Sequence, residues 1–203
     1  MKLIVVNNRT ASPSKIVCIG RNYVEHIVEL NNEIAEEMVV FLKPNSAITE
    51  ELHSYNGEQL HYEAELCLMY ENARFSAIGF GLDITKRALQ NKLKSKGLPW
   101  ERAKAFNGSA LFSPFVEVSE ISQNLSVELD IDGENVQSSS IDKMIYKPEQ
   151  ILTELLTFMS FNNGDIVMTG TPKGVGAINK AQQFVGRIKE NGEVITSVCW
   201  NSI

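Results

Sequence analysis

Two glutamates, Glu63 and Glu65, alternate with other residues in the segment 61–66, which reads HYEAEL. If this segment is a strand, its period of two places His61, Glu63 and Glu65 on one face and the intervening residues on the other. At about 5 Å and an effective dielectric of about 20, the two carboxylates repel each other by roughly 3 kcal/mol. A divalent cation would relieve that repulsion, whereas an isolated Glu-x-Glu is more often a solvated strand face.

A third acid, Asp83, follows an apolar and glycine-rich segment at 77–82. This pattern predicts a strand whose glycines allow a bulge or a close approach. A carboxylate there would be costly to desolvate without a partner, so we expect Asp83 to share a site with Glu63 and Glu65. Oxygen ligands favour Mg²⁺, with Mn²⁺ or Ca²⁺ as alternatives. His61 is interpreted as a packing or hydrogen-bonding neighbour rather than a ligand.

His26 and Glu29 lie three positions apart in a segment whose apolar residues have helical spacing. On a helix that separation brings both side chains onto one face, within hydrogen-bond reach. A carboxylate that orients an imidazole makes it a general base, able to activate water or deprotonate a carbon acid. The same segment carries further glutamates, namely Glu25, Glu33, Glu36 and Glu37. They favour the alternative of an ordinary surface pair on an acidic helix.

The elements that must position these residues are β-rich. Apolar runs and turn signals predict strands at 15–20, 61–70, 77–83 and 165–169, a hairpin at 126–137, and helices at about 23–38, 85–96 and 148–161. Regular βαβ alternation is missing, so we predict an α+β fold in which strands dominate. Length and the even spread of Gly and Pro predict one domain over residues 1–203.

Bulk composition narrows the class of partner. The formal net charge of −6 opposes a nucleic-acid-binding face and favours a small-molecule partner. The amino-terminal apolar run and the stretch at 38–42 are too short for a secretory or membrane-spanning segment, so we expect a soluble cytoplasmic protein. Three widely separated cysteines, Cys18, Cys67 and Cys199, form no CxxC pair, and we expect buried thiols.

The glycine-rich segment 169–176 resembles a phosphate-binding loop but lacks the required Gly-Lys-Ser/Thr order. Its backbone donors and the Thr171 hydroxyl can still bind a carboxylate. Ser109 lacks a nucleophile elbow and Cys67 lies among apolar residues, so no nucleophilic triad is predicted.

Several motifs occur in an order that resembles the fumarylacetoacetate hydrolase family. They are Ile19-Gly20-Arg21-Asn22-Tyr23 with His26, Phe41-Leu42-Lys43-Pro44, His61 to Glu65, Leu82 to Gln90, Lys96-Gly97-Leu98-Pro99-Trp100, Lys104-Ala105-Phe106 and Thr169 to Gly176. The compact length is most similar to the single-domain branch, which includes acylpyruvate hydrolases and oxaloacetate decarboxylases or tautomerases.

This resemblance implies a mixed β-sandwich roll with short helices, a homodimer, and Mg²⁺ or Mn²⁺ held by Glu63, Glu65 and Asp83. It also implies that His26 and Glu29 form a catalytic dyad on a short lid helix. Four further positions match substrate-contacting residues of the family: Lys104, Arg87, Gln90 and Thr171.

The activity expected first is magnesium-dependent hydrolysis of a C–C bond in an acylpyruvate-type 2-oxo acid, through a metal-bound enolate that Lys104 helps to stabilise. Alternatives on the same ligands are oxaloacetate decarboxylation, oxaloacetate keto–enol tautomerisation, and isomerisation or decarboxylation of a catabolic diacid. A non-catalytic metal-stabilised β domain and a sugar or nucleotide binding module are the competing classes.

Overall fold

Strands make up most of the regular structure in the computed structural model, which describes residues 1–29 and 36–203. The strands are β1 (Ile4–Val6), β2 (Arg9–Ala11), β3 (Lys15–Gly20), β4 (Val39–Pro44), β5 (His61–Tyr62), β6 (Ala64–Glu71), β7 (Arg74–Asp83), β8 (Ala110–Phe112), β9 (Val116–Glu117), β10 (Leu125–Ile131), β11 (Glu134–Ser140), β12 (Ile166–Met168), β13 (Gly176–Ala177), β14 (Gln183–Glu190) and β15 (Glu193–Asn201). The helices are α1 (Val24–Glu29), α2 (Arg87–Ser95), α3 (Glu101–Lys104) and α4 (Pro148–Leu156), with 3₁₀ turns at Asn45–Ala47 and Ile141–Lys143. The predicted strand-dominated α+β class is confirmed.

Two sheets organise the described part of the chain. The larger sheet is mixed and has the strand order β4-β3-β12-β6-β7-β8, with β9 also paired to β7. Within it, β12 runs parallel to β3 and antiparallel to β6. The smaller sheet is antiparallel, in the order β11-β10-β14-β15. Two short pairs, β1 with β2 and β13 with β5, complete the strand pairing among the described residues.

The principal core lies between these two sheets. Leu66 of β6 and Phe80 of β7 pack there with Leu129 and Phe184 of the smaller sheet. A Cβ atom on Gly186 of β14 would lie 2.3 Å from the Phe80 ring, so only glycine permits this approach. The aromatic ring of Phe80 therefore occupies the space that a side chain at position 186 of the facing strand would fill.

A second core covers the other face of the larger sheet, where Cys67 and Phe115 pack. A Cβ on Gly81 would lie 2.5 Å from the Cys67 sulfur, and one on Gly79 would lie 2.9 Å from the Phe115 ring. The close approach predicted from the glycines of β7 is thus observed. Because β6 and β7 are covered on both faces, their ends can hold charged groups away from water.

The helices are shorter than the sequence pattern predicted. Of the helix expected at 23–38, Val24–Glu29 are helical, residues 30–35 lie outside the described residues, and 36–38 are not helical. Helix α4 ends at Leu156 rather than near Phe161, whose ring instead packs 5.0 Å from that of Tyr70. Among the described residues, no helix has the length and apolar character needed to cross a membrane.

The cysteine expectation was wrong at one position. Cys18 and Cys67 are buried, but Cys199 is exposed. It lies on β15, an outer strand of the smaller sheet, where alternation turns the neighbouring Trp200 toward the core and Cys199 outward. Apolar composition alone does not reveal which face of such a strand a thiol occupies.

Candidate active site

The three predicted acids converge at one end of the larger sheet. Antiparallel pairing places Glu65 of β6 opposite Gly81 of β7, and the Asp83 amide donates to the Glu63 carbonyl at 2.9 Å. Each of the three offers a carboxylate oxygen, and these oxygens all lie within 4.8 Å of one another. All three side chains are buried. The alternative of a solvated strand face therefore does not describe Glu63 and Glu65.

Strand alternation accounts for this arrangement. Tyr62, Ala64 and Leu66 belong to the core between the two sheets, as expected for one face of the strand. His61 exchanges backbone hydrogen bonds with Thr85 and lies outside the acid cluster. Burial, with the nearby Arg87 guanidinium, holds its pKa below the ordinary histidine value. The placement fits the interpretation of His61 as a packing neighbour.

Lys104, at the end of α3, joins two of the acids. Its Nζ donates to Glu63 Oε2 at 2.8 Å, to Asp83 Oδ2 at 2.6 Å and to Thr85 Oγ1 at 2.6 Å. Burial opposes its charged form, but the Asp83 and Glu63 carboxylates raise the pKa of Lys104 above its ordinary value. These bonds use all three donors of the ammonium group, so it must release one before it can bind another oxygen.

Two further cations complete the surroundings of the acids. Arg87 forms an ion pair with Glu63, and Lys43 Nζ lies 2.8 Å from Asp83 Oδ1 while donating to the Lys104 carbonyl oxygen. Lys43 is fully buried on β4. Three buried or largely buried cations, Lys43, Arg87 and Lys104, thus pair with two of the three carboxylates, Glu63 and Asp83, which reduces the cost of desolvating these two acids.

The charges are not shared evenly among the acids. Burial opposes ionisation of Glu63, yet Lys104, Arg87 and His26 hold its pKa well below the usual value. The pKa of Glu65 is raised well above its usual value, by burial first and then by the Asp83 and Glu63 carboxylates. Glu65 Oε2 accepts the Gly170 amide at 2.7 Å. Glu65 is therefore the acid with the least compensation from the surrounding cations.

These features fit a divalent cation. The donors are carboxylate oxygens, the hard ligands that Mg²⁺, Mn²⁺ and Ca²⁺ prefer. Asp83 Oδ1 is buried and accepts no hydrogen bond from the described residues, although it is close to Lys43. An added positive charge would compensate Glu65 and use this free lone pair of Asp83. The cluster can accordingly hold a divalent metal ion.

The histidine–glutamate pair lies beside this cluster. His26 Nδ1 is 3.2 Å from Glu29 Oε2, and the imidazole is buried while the Glu29 side chain is 32% exposed. The other Glu29 oxygen accepts the Gly174 amide at 2.9 Å. Glu29 therefore joins the short helix α1 to the glycine-rich loop. In this arrangement His26 Nε2 is the ring nitrogen left for proton transfer.

A small cavity of about 40 Å³ brings the predicted residues together. Its volume accommodates roughly three ordered water molecules. The predicted residues that line it are His26, Glu63, Glu65, Asp83, Arg87, Gln90, Lys104 and Thr171. Glu29 is the one predicted site residue outside this lining, since it lies behind His26.

Sequence reasoning missed several contributing residues. Lys43 stood in a quoted motif, but nothing in its spacing indicated a buried partner for Asp83. Asn22 is also buried and donates to the Thr169 and Tyr146 carbonyls at 2.8 and 3.0 Å, which fixes the start of the glycine-rich loop. A Cβ on Gly170 would lie 2.8 Å from the Asn22 Cβ. These contacts depend on distant chain segments and have no local sequence signal.

The profile of the fumarylacetoacetate (FAA) hydrolase C-terminal family matches residues 15–198. The chain belongs to this family. The family consists of enzymes. The chain is similar to the oxaloacetate tautomerase of Escherichia coli, with 35% identity over 84% of this chain and 86% of the relative. The mitochondrial oxaloacetate tautomerase of Schizosaccharomyces pombe is 39% identical over 81% and 83%, and the human mitochondrial one is 35% identical over 88% and 84%.

Solved structures of this family share the fold. A fumarylacetoacetate isomerase/hydrolase family structure from Oleispira antarctica superimposes with a TM-score of 0.92 at 31% identity, covering 100% of both chains. Fumarylpyruvate hydrolase from Pseudomonas aeruginosa, solved with Mn²⁺ and pyruvate, gives 0.90 at 28% identity, covering 100% of this chain and 95% of the other. The mixed β-sandwich roll expected from the resemblance is confirmed.

Proposed function

We propose that this enzyme is a magnesium-dependent oxaloacetate keto–enol tautomerase. The observation that carries the proposal is the convergence of a histidine base, the acid cluster and several carboxylate-binding donors in the lining of one cavity. The sequence relatives named as oxaloacetate tautomerases support this choice over the acylpyruvate hydrolysis that sequence reasoning placed first.

Keto–enol tautomerisation requires proton transfer but no attack by a water molecule. His26 Nε2 accepts the proton from C3 of the keto form, and Glu29 stabilises the resulting imidazolium. The C3–H bond breaks, a C2–C3 double bond forms, and the keto oxygen takes up one proton from water while the His26 imidazolium returns its proton to water, so the product is an isomer and the base is restored. A divalent ion held by Glu63, Glu65 and Asp83 would polarise the keto group.

Other residues of the cavity bind and orient the diacid in this proposal. Arg87 Nη1 donates to Gln90 Oε1 at 2.7 Å, which leaves the Gln90 amide hydrogens available for a carboxylate. Thr171, on the glycine-rich loop, supplies a hydroxyl to the same cavity. Lys104 would contact the developing negative charge after exchanging one of its present bonds.

Acylpyruvate hydrolysis is the second candidate. It is favoured by the structural likeness to the Pseudomonas aeruginosa fumarylpyruvate hydrolase. In this reaction His26 would activate water to attack the distal carbonyl, and the cleavage would release pyruvate and an acid. The two candidates differ in whether a water molecule and an acyl group must enter the cavity.

A rate comparison separates these functions. The absorbance decay of enolic oxaloacetate is recorded with enzyme and Mg²⁺, with enzyme and a chelator, and with buffer alone, beside a panel of acylpyruvates. We expect Mg²⁺-dependent acceleration of ketonisation well above the buffer rate and slow acylpyruvate cleavage. Ketonisation at the buffer rate, with efficient cleavage of an acylpyruvate, would overturn the proposal. Glu128→Gln, in a partly buried ion pair with Lys189 on the smaller sheet, is the matched control variant.

A homodimer is also part of the proposal, from family resemblance. Light scattering coupled to size-exclusion chromatography should give twice the 22.6 kDa mass of the chain. A monomeric mass for the active enzyme would remove the dimer from the account.

A further inference from the structure

Gln137 is a fully buried amide behind the wall of the cavity. It lies on β11 opposite Leu129, which belongs to the core between the sheets. The register shifts at this point, and Val136 is the extra residue that leaves Asn135 opposite Asp130. Such a bulge redirects the side chains that follow it. Gln137 does not line the cavity itself.

Every polar atom of the Gln137 side chain is bonded to a part of the site. Its Oε1 accepts the amide of Ala64, the residue between the two clustered glutamates, at 2.9 Å. Its Nε2 donates to Thr171 Oγ1 at 2.9 Å and to the Pro172 carbonyl at 2.8 Å. One side chain thus connects the strand that carries the acids to the loop that carries Thr171.

The bond to Thr171 determines which way that hydroxyl acts. Because Oγ1 accepts from Gln137, the hydroxyl proton must be directed elsewhere. Among the described residues its acceptor is the Pro172 carbonyl, which is 3.4 Å away, long for an O–H···O bond, and already accepts from Gln137. Thr171 lines the cavity, so a ligand oxygen there would be a better acceptor.

We infer that Gln137 is a positioning residue that fixes Thr171 as a hydrogen-bond donor to a carboxylate in the cavity. The inference rests on the proposed function for the identity of the substrate. It is supported by the packing of the loop against β11, where a Cβ on Gly174 would lie only 2.0 Å from the Val136 carbonyl oxygen. Pressed against this strand, the loop has little freedom to turn the hydroxyl away.

The test compares variants that change the donor without removing bulk. Gln137→Glu keeps an oxygen for the Ala64 amide but replaces the Nε2 donor with an acceptor oxygen. The Thr171 hydroxyl would then donate to the residue-137 carboxylate instead of to a ligand in the cavity. Thr171→Val removes the hydroxyl at nearly constant volume, and Thr171→Ser keeps it. Oxalate affinity in the presence of Mn²⁺ is measured by calorimetry, together with kcat and KM for oxaloacetate and Mn²⁺ affinity without oxalate.

We expect Gln137→Glu and Thr171→Val each to weaken oxalate binding about tenfold, the effect of one lost hydrogen bond to a charged group. KM should rise by a similar factor while kcat and Mn²⁺ affinity change less than about twofold. The double variant should bind oxalate no more weakly than Thr171→Val alone, and Thr171→Ser should recover most of the affinity.

Wild-type oxalate affinity in Thr171→Val would overturn the inference even if Gln137→Glu failed to fold. Multiplicative losses in the double variant would also overturn it, since they would show that Gln137 acts independently of Thr171. If the wild-type enzyme binds oxalate but leaves oxaloacetate ketonisation at the buffer rate, the proposed function fails. The oxalate affinities then still decide the role of Gln137.

Discussion

The acid cluster and the histidine–glutamate dyad are held in place by very different means. Glu65 and Asp83 extend from paired strands covered on both faces, and their side chains are buried. The dyad lies on α1, of which Val24–Glu29 are described, and within the described residues Glu29 is bonded to the glycine-rich loop through the Gly174 amide. A metal site requires fixed ligand distances, whereas a base must approach and leave a substrate.

This difference separates binding from proton transfer in the molecule. Changes in the cluster should remove the ion and everything that depends on it. Changes in the dyad should leave the ion in place and slow the reaction. The loop 169–176 contacts both regions, through Gly170 to Glu65 and through Gly174 to Glu29. A substitution in this loop should therefore affect both metal binding and proton transfer, but each less than a substitution in the cluster or the dyad itself.

The largest expected effect is in Glu65→Gln. The amide oxygen can still accept from Gly170, so the fold should persist, but one anionic ligand is lost. We expect Mn²⁺ binding by calorimetry to become undetectable and ketonisation to fall by about a thousandfold, since a metal supplies several kcal/mol. Glu193→Gln, at an exposed position of β15, is the control and should behave as wild type. Retained Mn²⁺ affinity in Glu65→Gln would contradict the assignment.

His26→Ala should come next. Loss of a general base lowers kcat by roughly a hundredfold to a thousandfold, while Mn²⁺ affinity stays close to wild type. Glu29→Gln should lower kcat about tenfold, because the imidazole keeps its position but the imidazolium is stabilised less. Glu25→Gln, on the same helix and exposed in its pair with Lys173, serves as the control. A His26→Ala enzyme with wild-type kcat would remove the dyad from the mechanism.

The loop contact can be weakened through Gly174→Ala. The added Cβ would lie 2.0 Å from the Val136 carbonyl oxygen, whereas Gly192→Ala meets nothing within 4 Å, and both glycines have positive φ. The Gly192 variant should lose about 1 kcal/mol and roughly 2–4 °C in Tm, from backbone strain alone. The Gly174 variant should lose more in Tm and about tenfold in kcat. Equal losses in Tm for the two variants, measured by scanning calorimetry, would show that the loop adjusts to the added methyl group without loss of stability and would contradict this prediction.

The smallest effect on activity is expected far from the site, at Asp165. Burial opposes its ionisation, but bonds from Lys15, Asn162 and Ser14 hold its pKa below the ordinary value. A lowered folded pKa gives stability that is complete above the unfolded value, about 4, and is lost as pH falls through the folded value.

Asp165→Asn should therefore lower the free energy of unfolding at pH 7 by about 1–3 kcal/mol, measured in urea. The difference from wild type should narrow below about pH 4, and kcat at pH 7 should be unchanged. Asp142→Asn, at an exposed position, is the control. A difference that stays constant down to pH 2 would contradict this account of Asp165.

The sequence predicted the cluster better than its surroundings. Period-two alternation and the glycines before Asp83 were enough to place three acids together, because both features follow from backbone geometry. Lys43 and Gln137 reach the site from strands far away in sequence, and Gln137 depends on a bulge that no local pattern announces. The sequence motifs also did not determine the reaction, since hydrolysis, decarboxylation and tautomerisation can all use the same metal ligands.

The most direct test of the central claim is anomalous diffraction from crystals soaked in Mn²⁺. The account predicts one strong peak bounded by carboxylate oxygens of Glu63, Glu65 and Asp83, and its loss in Glu65→Gln crystals. A peak elsewhere, or none at a Mn²⁺ concentration that supports full activity, would contradict it.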